Sequence, residues 1–176
     1  MADLRQTNYL AGYPASLTAR VHGLIREERL AGWLLDKYPR AHEVRNDKAL
    51  YDYVFGIKQV HLRNAGQLGR VAYDSKLHVI RNALGMHTLV THVHGARLKT
   101  RRELRVATLF RNMPEAFLRM IVVHELAHMR EVNHDKAFYQ LCEHMEPDYA
   151  QLEFEVRAYL TYLDADGPEL WGAVAL

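Results

Sequence analysis

Residues 122–138 read VVHELAHMREVNHDKAF, with histidines at 124, 128 and 134 and a glutamate directly after the first. On a helix, residues four apart stand one turn apart on one face. His124 and His128 can therefore share one tetrahedral ion. Glu125 is turned about 100° from His124. That puts it off the ligand face and toward a water carried by the ion, where a carboxylate acts as general base. Such a site needs a third protein ligand and one open position. His134 can be that ligand if the helix breaks at Asn133-His134-Asp135, because Asn and Asp favour caps and turns.

The spacing of the three histidines equals that of the metzincin pattern, but Glu131 stands where that pattern uses a glycine for its turn. The chain is thus not read as a metzincin, and the turn is expected at Asn133. A second pattern lies just upstream, in ARLKTRRELRV: Arg97, Lys99, Arg101, Arg102 and Arg105 against one acid, Glu103. In an extended segment Arg97, Lys99, Arg101 and Arg105 share one face, with Leu98, Leu104 and Val106 on the other. Such a face could bind a triphosphate and neutralise a diphosphate leaving group. It could equally be a solvated edge strand protected by its charges, or an edge that holds peptide backbone.

Other candidates weigh less. His92 and His94 share a strand face but have no third partner nearby in sequence. His144 reads as a cation at a helix C-terminus. Glu153 and Glu155 read as solvated helix positions, with support of a ligand histidine as the alternative. Cys142 falls on an apolar helix side and reads as core packing.

The elements that must position these residues fall into three zones. Residues 14–63 read helical: one helix from Pro14-Ala15-Ser16 continuing through REERLAGWLLDKYP to a stop at Pro39, then a second from an Asn46 cap through Leu50, Val54 and Ile57. Residues 68–111 read as strands: GRVAYDSKLHVIRN as a hairpin turning at Asp74-Ser75, then HTLVTHVHG and ELRVATLF. The third zone is helical: one helix from Asn112 and Pro114 to near Asn133, one capped by Asp135, and one restarting after Pro147 and ending at Gly167-Pro168. The fold class is α+β: a helical N-terminal part, a small β-sheet, then a zincin-like metal-binding helix and C-terminal helices, in a single domain over 1–176.

Bulk composition narrows the function classes. The chain has 176 residues, and its formal net charge of +2 argues against a binder of polymeric nucleic acid. One cysteine permits no internal disulfide, and the N-terminus lacks a basic then apolar leader, so a cytoplasmic location is expected. No apolar run has membrane-span length, so no membrane association is expected.

The stretch VVHELAHMREVNHDKAFYQLCEHMEPDY resembles the YgjP-like metal-dependent hydrolases, and DKALYDY, YDSKLHVIRNALGMHT and RVATLFRNMPEAFLRM extend the likeness along the chain. The resemblance implies that His124, His128 and His134 are the metal ligands and Glu125 the catalytic carboxylate. It further implies hydrolysis of UTP to UMP and diphosphate, which the metal motif alone does not. The expected cofactor is one divalent ion, zinc foremost, with nickel or manganese compatible with three imidazoles. The expected partner is a small nucleotide. Two rivals remain: a zinc peptidase using the same site on a peptide substrate, and a non-catalytic module whose metal is structural and closed by a fourth protein ligand.

Overall fold

The structure is a computed structural model that describes residues 8–76, 86–94 and 97–172, giving only the backbone path over 86–94 and 97–101. Three helices come first: α1 (Ala15–Arg26), α2 (Leu30–Lys37) and α3 (Asp47–His61). Strands β1 (Leu68–Asp74), β2 (Met86–His94) and β3 (Arg97–Ala107) follow, then a 3-10 turn (Thr108–Asn112). Helices α4 (Glu115–Ala127), α5 (Lys136–Met145) and α6 (Tyr149–Asp164) complete the chain. The α+β class expected from the sequence is what the elements build.

Local chemistry explains most boundaries. Asn46 caps α3 by accepting from the Ala49 amide (2.9 Å), and Asp135 caps α5 by accepting from the Phe138 amide (3.1 Å). Where one helix was expected from residue 14 to Pro39, there are two. The Arg29 amide reaches back to the Leu24 carbonyl (2.9 Å) and the Glu28 amide to the Ile25 carbonyl (3.0 Å), with Glu28 at φ 55°. This is a Schellman end, built with a glutamate in the left-handed position usually taken by glycine. The same device ends α6, where Asp166 takes φ 64° and the Gly167 amide bonds the Tyr162 carbonyl (3.0 Å).

The sheet order is β1-β3-β2, so β3 is central. β2 runs antiparallel to β3 from Met86↔Arg105 to His94↔Arg97. β1 runs parallel to β3, with Leu68 opposite Arg102 and Val71 opposite Leu104. The expected hairpin over 69–82 has its second arm, from 77 onward, outside the described residues; the neighbour that β1 does have is β3.

The face of β3 that carries Leu104 and Val106 is buried, and α4 packs on β3 as well as on α3, α5 and α6. Its ten residues Phe117, Leu118 and Met120 to Ala127 are all buried, the mark of a helix enclosed on every side. That enclosure draws the first metal-motif histidine and its neighbouring glutamate into the core. Among the described residues, no helix is long and apolar enough to cross a membrane.

Candidate metal centre

α4 stops at Ala127, earlier than the expected end near Asn133. The Met129 amide turns back to Leu126 (3.0 Å), and the Arg130 and Glu131 amides both turn back to Ala127 (3.0 and 2.9 Å). The turn is thus made at residues 128–130, and Asn133 lies in the bend that follows. Together they bring His134 back over the helix end. The Nε2 atoms of His128 and His134 stand 3.0 Å apart, and those of His134 and His124 3.2 Å. A tetrahedral ion bound at about 2.0–2.1 Å separates its nitrogen ligands by roughly 3.3 Å. The three imidazoles are therefore arranged as one ligand set.

The outer nitrogens of His128 and His124 are spoken for. His128 Nδ1 lies 2.9 Å from the Glu131 carbonyl. A carbonyl only accepts, so Nδ1 carries the proton and the Nε2 lone pair is directed at the centre. His124 Nδ1 lies 2.7 Å from the hydroxyl of buried Tyr149. Phe138, fully buried, packs against all three rings at centroid distances of 4.9, 4.6 and 4.8 Å. Burial, reinforced by the neighbouring histidines, lowers the pKa of His124 well below the ordinary value, and burial lowers those of His128 and His134. Three neutral bases aiming lone pairs at one point repel one another unless a cation sits between them, which is the fit test for a metal.

Glu125 is 1% exposed, and among the described residues neither carboxylate oxygen has a hydrogen-bond partner. Burial pushes its carboxyl up to about 8. A divalent cation alongside would pull that value back down.

The other sequence candidates separate cleanly. His144 packs edge-on against His61 (5.7 Å) and is not in the histidine cluster. Cys142 is a free, buried thiol. The side chains of His92, His94, Arg97, Lys99 and Arg101 lie outside the described residues. Arg105 is described and sits between two acids, Asp74 (3.1 Å) and Glu103 (3.3 Å). Glu153 and Glu155 are buried, not solvated: Glu153 holds Arg157 (3.0 Å), and Glu155 accepts from Tyr38, Lys37 and Gln151. Sequence reasoning missed Tyr149 and Phe138 as supports of the cluster, since spacing alone does not bring them to it. It also missed Arg102, whose Nη1 donates to the His128 carbonyl (2.7 Å).

Three convergent imidazoles beside a buried carboxylate with free oxygens make a site of the metallohydrolase class. Residues 86–159 match the family model described as "YgjP-like, metallopeptidase domain". The chain is 56% identical over 155 residues to the UTP pyrophosphatase of Escherichia coli (strain K12), covering 88% of this chain and 93% of that protein. The chain belongs to the YgjP-like family. No solved structure matches it.

Proposed function

We propose that this chain is a metal-dependent hydrolase that cleaves UTP to UMP and diphosphate, with His124, His128 and His134 holding one zinc ion and Glu125 as the catalytic carboxylate. The observation that carries the site assignment is the pairing of opposites at residues 124 and 125: a histidine whose Nδ1 is engaged and whose Nε2 meets the other imidazoles, next to a buried carboxylate with neither oxygen engaged among the described residues. The substrate assignment draws on the named activity of the 56% identical relative. Zinc suits three imidazoles with an open position. One free buried thiol is in keeping with a cytoplasmic location. Helices α1 to α6 and strands β1 and β3 contribute to one hydrophobic cluster, which supports a single domain over 1–176.

The ion, when bound, supplies Lewis acidity and makes a nearby water acidic enough to attack at neutral pH. Tyr149 and the Glu131 carbonyl orient His124 and His128 by engaging their Nδ1 atoms. Glu125 takes the proton from the attacking water. The water oxygen bonds the α-phosphorus, the bond from that phosphorus to the bridging oxygen breaks, and diphosphate leaves. The core around α4 keeps bulk water off the Glu125 carboxylate.

The model that matches the C-terminal part is described as a metallopeptidase domain, which keeps a peptidase reading in play. One experiment separates the two. Zinc-loaded protein is offered UTP, the other nucleoside triphosphates and a peptide library, and products are quantified. UMP and diphosphate released in equal amounts from UTP, with no peptide cleavage, are expected. Peptide cleavage without nucleotide turnover would overturn the substrate assignment. Turnover of neither by zinc-replete protein would leave the ion structural and overturn the enzymatic reading.

A further inference from the structure

We infer that Arg102 is the phosphate-binding cation of this site, offering the free edge of its guanidinium to the phosphate chain of the substrate. The inference rests on the reading above that the substrate is a phosphoanhydride. Arg102 lies on the same side of β3 as Leu104 and Val106, the side that faces α4. Its partner is the carbonyl of His128, whose imidazole Nε2 is 3.0 Å from that of His134. Arg102 is therefore tied to the turn that carries one member of the histidine cluster.

The chemistry of the remaining donors is what points to a ligand. A guanidinium has five N–H donors in a rigid fork. The bond to His128 uses Nη1 alone, leaving the Nε–Nη2 edge, which is the edge that meets a carboxylate or phosphate through two parallel bonds. Among the described residues, neither Nε nor Nη2 of Arg102 has a partner, and none of the ion pairs includes Arg102.

Arg105, Arg119 and Arg157 are each neutralised by acids, whereas Arg111 lies over the Tyr73 ring with a buried Nε that has no partner among the described residues. Arg105 is shared by Asp74 and Glu103, Arg119 meets Glu146, and Arg157 turns its Nε and Nη2 on Glu153. The Arg157 pair shows how this fold uses that edge when a carboxylate is present. Arg102 is half-buried and no acid meets that edge, and such a cation is stabilised by an anion that arrives from outside. A phosphate chain bound near the histidine cluster is that anion.

The test uses full-length, zinc-loaded protein as wild type, Arg102→Lys, Arg102→Ala and, as a control for loss of an exposed charge, Arg63→Ala. Zinc per chain, the affinity for inorganic diphosphate by calorimetry, and KM and kcat for UTP are measured. Lysine can still bond the His128 carbonyl but lacks the fork. Arg102→Lys is expected to keep its zinc while diphosphate binding weakens and KM for UTP rises roughly 10-fold, and Arg102→Ala roughly 10- to 100-fold. Arg63→Ala should leave both unchanged. Wild-type diphosphate affinity and KM in zinc-replete Arg102 variants would overturn the inference. So would variants that lose zinc yet regain wild-type constants at saturating zinc, since Arg102 would then only clamp the turn. A wild type that binds no diphosphate also overturns it. If diphosphate binding depends on Arg102 but wild type does not turn over UTP, the substrate assignment falls and the anion site stands.

Discussion

On α6, Glu155 is wholly buried and saturated: the Tyr38 hydroxyl, the Lys37 ammonium and the Gln151 amide all donate to it. Glu153, one residue apart from it on the other side of Phe154, is buried against Arg157. On α4, Glu125 is as deeply buried and makes no hydrogen bond among the described residues. A folded chain gains little by hiding a carboxylate it does not satisfy, since the desolvation cost of an unpartnered polar group is about 1–3 kcal/mol and more for a charged one. Glu155 ties α6 to the end of α2 and Glu153 holds Arg157 within α6, whereas the α4 carboxylate has no such tie among the described residues and, on the proposed function, serves the attacking water.

The strongest challenge to that contrast is Glu125→Gln. The variant should keep its zinc, lose about 10²- to 10⁴-fold in kcat, and be no less stable than wild type when the ion is stripped. Near-normal turnover in zinc-replete protein would move Glu125 into the same group as the α6 carboxylates. Glu155→Ala should do the opposite. It leaves the Tyr38 hydroxyl without its acceptor, so urea denaturation should show a loss of about 2 kcal/mol. The figure is held at the low end because Lys37 is 43% exposed and rehydrates. Activity per zinc-loaded, folded molecule should stay near wild type. A stability change within the scatter of surface substitutions would break the comparison from the other side.

Tyr149→Phe sharpens it at a smaller scale. Removing the hydroxyl frees His124 Nδ1, and zinc affinity measured by chelator competition should fall about tenfold. With saturating zinc, kcat should recover. Unchanged affinity would show that core packing alone orients His124.

The smallest effect belongs to His42, a buried group saturated in its neutral form. Its Nε2–H donates to the Phe110 carbonyl (2.8 Å) and its Nδ1 accepts from the Val44 amide (3.0 Å). Burial lowers its pKa, so the unfolded chain takes up the proton first. Stability is then complete above the unfolded value of roughly 6.5 and declines as pH falls through it. Denaturation of zinc-loaded wild type at pH 7 and pH 5 should differ from that of His42→Gln by about 1 kcal/mol. Parallel pH profiles would remove His42 as the source.

The histidine cluster was legible because its logic is local: a four-residue step on a helix and a third histidine just beyond the turn. The caps at Asn46 and Asp135 were legible for the same reason. What escaped the sequence depended on distant partners or on missing signals. The break between α1 and α2 is made by Glu28 in a conformation that no glycine advertises. The early end of α4 coincides with the Arg102 bond to the His128 carbonyl, from a residue 26 positions away. Glu155 reads as solvated on α6 because its partners Lys37 and Tyr38 lie 118 and 117 positions away. The basic pattern on β3 was visible, but alternation drew attention to the face of Arg105, which acids neutralise, while Arg102 stands on the other face.

The parallel pairing of β1 with β3 makes assembly of this fold uneven in time. β2 and β3 pair up to His94 and Arg97, so little chain entropy is spent in bringing them together. β1 must instead close a loop of roughly thirty residues before Leu68 meets Arg102. Contacts that are near in sequence form sooner than contacts that are far. The β2–β3 ribbon and the segment after it, which carries every member of the histidine cluster, are therefore expected to form early in folding. β1, with α3 packed upon it, is expected to dock later, closing the edge of β3 opposite β2.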